Sequence, residues 1–136
     1  MLLLGHDMAV AEWAHRTFGY ARVQYDCAIG IVRHDRIVGA AMFHAWSGDD
    51  IEFSYYGPGT MTLATVRDLA RIAVEQFGVS RVTVRTARNN KIMTKSIKKI
   101  GFEFEGIRKH GYGQYDAVMF GLYGEKLAKL AQKTVH

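Results

Sequence analysis

One cysteine, Cys27, is all that the chain contains, so no disulfide can close within it, and a reducing compartment suits it. Cys27 sits in an apolar run with Ala28, Ile29, Ile31 and Val32, which points to a buried, inert thiol rather than a nucleophile. Proline is equally scarce: Pro58 is the only one, and it stands between Gly57 and Gly59. No apolar run is long enough to span a bilayer. The opening stretch MLLLGHDM has too short an apolar segment and no basic flank for a signal peptide. A soluble, cytoplasmic protein is therefore expected. The chain has neither a Gly-x4-Gly-Lys-[Ser/Thr] loop nor a dinucleotide-binding fingerprint. Its six histidines lack cysteine or carboxylate partners at ligand spacing, so no metal site is expected, and no Cys–His nucleophile pair is indicated.

Acid is sparse where base is crowded. The net charge is +5 and the pI about 9.4. Arg81, Arg85, Arg88, Lys91, Lys95, Lys98, Lys99, Arg108 and Lys109 gather in the third quarter, opposed there by Glu103 and Glu105. Such a cluster attracts nucleic acid, an anionic cofactor or an acidic protein, and a solvated helix face explains it equally well. No aromatic residue is interleaved with the lysines, so base stacking is unsupported and nucleic acid is not an expected partner.

The 136 residues, 49% apolar and 23% charged, suffice for one core, and no linker or repeat interrupts them, so residues 1–136 read as a single domain. The spacing predicts an amphipathic helix over 6–18, with Val10, Trp13, Ala14 and Thr17 on one face. Strands are predicted over 26–33, 36–46 and 50–56, joined by His34-Asp35 and by Ser47-Gly48-Asp49 into an antiparallel meander. A helix over 61–77 follows, with Leu63, Val66, Ala70, Ala73, Val74 and Phe77 as its stripe and Gly78 as its stop. A strand at 81–87 completes a crossover and a parallel pair. A second helix runs over 90–100, with Ile92, Met93, Ser96, Ile97 and Ile100 inward. Strands 102–108 and 114–122, joined through KHGYG, and a short helix over 124–133 with Leu127 and Leu130 packing end the chain. The result is a mixed α/β (α+β) sheet.

One stretch, SYYGPGT at 54–60, joins a predicted strand to a predicted helix. Glycines at such a corner let a backbone approach closely, Thr60 or Thr62 can cap the helix, and the helix N-terminus favours an anion. An ordinary strand-to-helix corner accounts for the same residues.

Residues 88–122, RNNKIMTKSIKKIGFEFEGIRKHGYGQYDAVMFGL, resemble the C-terminal half of GNAT-superfamily N-acetyltransferases, and most closely the branch that acetylates N-termini of ribosomal proteins. Asn90, Gly101-Phe102, Glu105-Gly106 and Asp116 carry the resemblance in that order and spacing. The chain also resembles short GNAT-like proteins that bacteriophage and prophage genomes carry, which would place it in a host cytoplasm. The resemblance implies a splayed six- to seven-stranded sheet flanked by helices, with acetyl-CoA entering the cleft. It places the cofactor's phosphates at a loop starting at Ser54 and running through Tyr55, Tyr56, Gly57 and Gly59 to Thr60, with Arg88 adding charge and Asn90 bonding the pantetheine arm. Asn90 equally suits a helix N-cap. Serine stands where that family has Gln or Arg, and Pro58 removes an N–H donor, so the loop is abbreviated.

Acetyl transfer to an amine needs a base, and often an acid for the leaving thiolate. The resemblance points to the strand before the loop for the base, where Glu52 and Asp50 share a face by period 2. The family's acidic tyrosine position holds Ile97; Tyr55, Tyr112 or Tyr115 could replace it, and Tyr115 is carried forward with the two carboxylates as the catalytic set. His44, on the neighbouring strand, reads as a packed residue. Two functions remain: an acetyl-CoA-dependent N-acetyltransferase acting on a peptide N-terminus or small-molecule amine, or a catalytically weak GNAT-fold module that binds and modulates another protein, such as one of a bacterial host. A homodimer is a further partner the resemblance allows.

Overall fold

In the computed structural model, residues 1–19, 24–58 and 61–132 are described. They form β1 (Leu2–Leu3), α1 (Asp7–Phe18), β2 (Cys27–Arg33), β3 (Arg36–His44), β4 (Asp50–Tyr56), α2 (Leu63–Phe77), β5 (Arg81–Ala87), α3 (Lys91–Ile100), β6 (Glu103–Tyr112), β7 (Tyr115–Tyr123) and α4 (Gly124–Leu130). One seven-stranded sheet runs in the order β1-β2-β3-β4-β5-β7-β6. Every neighbouring pair is antiparallel except β4 and β5, whose parallel pairing follows from the α2 crossover between them.

Local chemistry sets most of the boundaries. His34 and Asp35 take positive φ, 52° and 60°, and close the β2–β3 hairpin. Strand β3 stops at His44 rather than at residue 46, because Ala45 turns to φ 53° and the Trp46 N–H donates to Asp26 Oδ2 at 3.0 Å. Thr62 caps α2, its hydroxyl accepting from the Thr65 N–H at 3.2 Å, and Gly78 ends that helix in the left-handed conformation. Asn90 caps α3 by accepting from the Met93 N–H at 3.1 Å. Strand β6 extends four residues beyond the expected 108, so KHGYG is mostly strand. Strand β1 pairs Leu2 with Ile31 and leaves no mark in the sequence pattern, two residues being too short for a period to register. The expected end of the last helix, residue 133, lies outside the described residues.

The two faces of the sheet differ. On one, Ile29, Ala41, Phe43, Ile51, Val82, Val84, Phe120 and Leu122 form the main core with residues of α2, α3 and α4. On the other, Val10 and Ala14 of α1 pack against Ala28, Ala40 and Met42. Asp7 Oδ2 accepts the Ala28 N–H at 2.8 Å and pins the start of α1 to β2. Three residues expected to face inward are exposed instead: Thr17, Leu63 and Ile92. Each lies in the first or last turn of its helix, where the stripe runs off the sheet; Leu69 takes the inward place in α2. On the α1 side, alternation leaves Asp50, Glu52 and Ser54 of β4 beside Thr83 and Arg85 of β5, a polar surface next to a small apolar patch.

Phe120 is fully buried at the centre of the main core, whereas its ring partner Phe104 is 57% exposed. Replacing Phe120 with alanine is expected to lower unfolding free energy by about 3–5 kcal/mol, and Phe104→Ala clearly less, measured by urea denaturation.

Candidate functional site

The parallel pairing of β4 with β5 is short. It runs from Asp50↔Arg81 to Phe53↔Val84 and ends there. Beyond it, β4 stays paired with β3 as far as Tyr56↔Ala40, and β5 stays with β7 as far as Ala87↔Ala117. The two strands therefore part after Phe53 and Val84 while each keeps its outer partner. An extended ligand could lie in the resulting cleft and use main-chain groups of Ser54–Tyr56 and Arg85–Ala87.

At the point of parting stands a cluster of three side chains. His44 and Glu52 face each other in the β3–β4 register, with Met42 and Ser54 the next pair but one. His44 Nε2 lies 2.8 Å from Ser54 Oγ, and Nδ1 lies 3.5 Å from Glu52 Oε2. The His44 side chain is 14% exposed and that of Glu52 32%, so the carboxylate meets solvent and the imidazole hardly does. Burial holds the His44 pKa below its ordinary 6.5; the Glu52 carboxylate pulls it upward, Arg85 pushes it down, and Asp26 pulls it upward less.

Asp50 does different work. It accepts from the Thr83 hydroxyl at 2.9 Å and lies 3.5 Å from Arg81 Nε, and Arg81 also binds Glu105, with Nη1 to Oε2 at 3.2 Å. Asp50 is thus held at the paired end of β4, and Glu52 is the carboxylate at the parting. Of the basic cluster, Arg81 is tied to Asp50 and Glu105, while Arg88 and Lys109 lie 3.7 and 3.6 Å from Asp116. Asp116 also accepts the His110 N–H, which holds its carboxyl below the usual range, and the two cations add to that. The acids opposing the cluster therefore include Asp50 and Asp116.

The expected loop residues divide between the faces. Tyr55 is half-buried against two glycines: a Cβ on Gly39 would stand 2.9 Å from its ring, and one on Gly57 would collide with its hydroxyl end. Glycine at 57 is thereby accounted for by the Tyr55 ring. Burial raises the Tyr55 pKa. Tyr56 packs toward the α1 cluster. Gly59 and Thr60 lie outside the described residues. Asn90 spends its side-chain oxygen on the α3 cap.

The tyrosines also separate. Tyr115 is 43% exposed at the β6–β7 turn. Tyr112 folds back: its hydroxyl donates to the Arg85 carbonyl at 3.3 Å, and its ring lies under the Arg85 guanidinium, 5.8 Å from centroid to Cζ. Arg85 follows Val84, the last β5 residue paired with β4, so Tyr112 reaches the parting. Gly111 permits this, because a Cβ there would strike Ala117. Sequence reasoning gave His44 and Tyr112 little weight; the strand register brings His44 to Glu52 and Ser54, and the fold-back of β6 brings Tyr112 to Arg85. Cys27 stays half-buried, its thiol pushed up to about 11 by burial and by Asp7. Among the described residues, no group of three metal-binding side chains occurs, and no helix is long and apolar enough to cross a membrane.

No family model matches the chain, and no curated protein sequence matches it. Solved structures do. A chimera of Vibrio cholerae spermidine N-acetyltransferase SpeG and hSSAT superposes with a TM-score of 0.75 at 10% identity, covering 97% of this chain and 99% of that one. A structure described as a probable acetyltransferase gives 0.66 at 21% identity, over 74% of this chain and 62% of that one. Campylobacter jejuni N-acetyltransferase PseH in complex with acetyl coenzyme A gives 0.59 at 16% identity, over 72% and 67%. The chain spans less than two thirds of the second of these, and the likeness is one of fold: a mixed α/β sheet with the architecture of the GNAT acetyltransferases.

NMR titration should find the His44 imidazole titrating below the ordinary histidine value, and Glu52→Gln should lower it further, since the carboxylate is what draws it up. Because the folded pKa lies below the unfolded one, His44's contribution to stability is complete above the unfolded pKa and is lost as pH falls through the folded value.

Proposed function

We propose that this protein is an acetyl-CoA-dependent N-acetyltransferase whose acceptor is an amine. The observation that supports it best is the parting of β4 and β5 after four paired residues, directly beside His44, Glu52, Ser54 and Tyr112. When bound, acetyl-CoA would contribute the thioester. The parted backbones would hold its extended arm, with Arg88 and the capped start of α2 near the mouth of the cleft. His44, kept neutral by burial and steadied by Glu52, is suited to take a proton from the acceptor's ammonium. Tyr112 replaces Tyr115 in this reading as the group that can protonate the departing thiolate, because its hydroxyl reaches the cleft. Asp50, engaged with Thr83 and Arg81, supports the strands rather than the chemistry.

The polar face beside the cleft, with Glu52 partly exposed, suits a cationic acceptor such as a peptide N-terminus or a small amine. A second reading, a GNAT-fold module that binds a protein without efficient catalysis, is favoured by one observation: Gly57 lies against the hydroxyl end of Tyr55, which gives it a packing role apart from any phosphate. A cytoplasmic location, in a phage host or elsewhere, accompanies either reading.

The purified protein should acetylate at least one member of a panel of N-terminal peptides, polyamines and small amines. Within that activity, His44→Ala should lower kcat by roughly 10²–10⁴-fold and Tyr112→Phe should lower it without a matching rise in the acceptor KM, whereas Tyr115→Phe should change little. Absence of transfer to every acceptor would favour the binding module.

A further inference from the structure

The Ser54–His44–Glu52 chain has a direction. A carboxylate oxygen is an acceptor, so Glu52 Oε2, 3.5 Å from Nδ1, favours the tautomer that carries the ring hydrogen on Nδ1. Nε2 is then left to accept from the Ser54 hydroxyl at 2.8 Å. A hydroxyl, an imidazole that can take its proton and a carboxylate that orients the imidazole are the three parts of an activated nucleophile. We propose that Ser54 is a nucleophile that accepts an acyl group from an activated ester or thioester, with His44 as its base and Glu52 holding the imidazole in place.

The setting supports this beyond the contacts themselves. Ser54 is the residue after Phe53, where β4 leaves β5, and it is half-buried rather than sealed, so an acyl carbonyl lying in the cleft can reach its Oγ. From the neighbouring strand Arg85 places a guanidinium over the Tyr112 ring and close enough to His44 to act on its charge. The groups around the imidazole are Glu52 and Ser54 from β4, Arg85 from β5 and Asp26 from the segment before β2.

The step balances within these groups. The Ser54 proton passes to His44 Nε2 as Oγ forms a bond to the acyl carbon. The C–S bond, or the C–O bond of an ester, breaks, and the departing thiolate or alkoxide takes the proton back from His44. An amine, or water, then attacks the Ser54 ester; its proton goes to His44 and is returned to Ser54 Oγ as that bond breaks. With a thioester donor this makes acetyl transfer a two-step exchange served by His44 in both halves, in place of a direct transfer in which His44 acts on the ammonium and Tyr112 on the thiolate. The inference rests on the donor reading for its natural substrate, but the nucleophile itself does not need coenzyme A.

The test therefore uses small probes. A fluorophosphonate should label the protein at Ser54, and p-nitrophenyl acetate should leave one acetyl group on the peptide that contains it, both read by mass spectrometry. Ser54→Ala, with an unchanged circular dichroism spectrum, should abolish both, and Glu52→Gln should slow acylation by roughly 10²-fold or more. Ser54→Cys should give a thiol that iodoacetamide alkylates much faster than Cys27, whose own thiol is pushed up to about 11. Acylation by p-nitrophenyl acetate without any binding of acetyl-CoA would uphold the nucleophile and defeat the donor reading. Acetyl transfer from acetyl-CoA that persists in Ser54→Ala, with no label on the native protein, would overturn the nucleophile and leave the donor reading intact.

Discussion

Everything proposed for this molecule depends on the brevity of one parallel pairing. Strands β4 and β5 share a ladder only from Asp50 to Phe53, and each is then held by its other neighbour. A parallel pair needs a crossover, and α2 fills that role on one face, packing Leu69, Ala70 and Ala73 against the sheet. The paired end is reinforced by ions: Arg81 links Asp50 of β4 to Glu105 of β6 across β5 and β7. At the open end the polar groups of the opposite face gather. The ion pairs are partly exposed and individually contribute little to stability. Their place in the fold, rather than their strength, separates Asp50 from Glu52 in role.

The face on which the chemistry would occur is defined by a shortage of cover. Among the described residues, α1 is the helix that packs on that side, over β2 and β3. Asp50, Glu52 and Ser54 of β4 and Thr83 and Arg85 of β5 give that side its polar part, and His44 sits at its border, buried enough to resist protonation yet beside groups that reach solvent. Tyr112 arrives from the far edge of the sheet by curling over Ala117, which a side chain at Gly111 would prevent. The site thus draws on the β3–β4 hairpin, on β5 and on the tip of a second hairpin.

Much of the fold was legible in the sequence, because alternation and helical stripes report burial directly. Strand 50–56 and strand 81–87 agree with the structure to the residue, and Gly78 and Asn90 mark helix ends by mechanisms that act locally. What stayed hidden is what depends on register. That His44 meets Glu52 and approaches Ser54 follows from the β3–β4 alignment, in which paired residue numbers keep a constant sum, and fixing the hairpin register would have exposed it. The reach of Tyr112 had no such signal, since β6 departs from regular pairing between Arg108 and Tyr112. Gly57 illustrates the converse: its sequence context suggested a ligand, while its neighbour Tyr55 explains it.

The most direct test of the account is to follow backbone amide signals of the isotopically labelled protein by NMR during titration with acetyl-CoA. The account predicts saturable shifts concentrated at Ser54–Gly57 and Arg85–Ala87, the segments where β4 and β5 part, with little change at Asp50–Phe53. An absence of shifts at millimolar acetyl-CoA, or shifts confined to the lysine-rich surface of α3 and lost on adding salt, would contradict it.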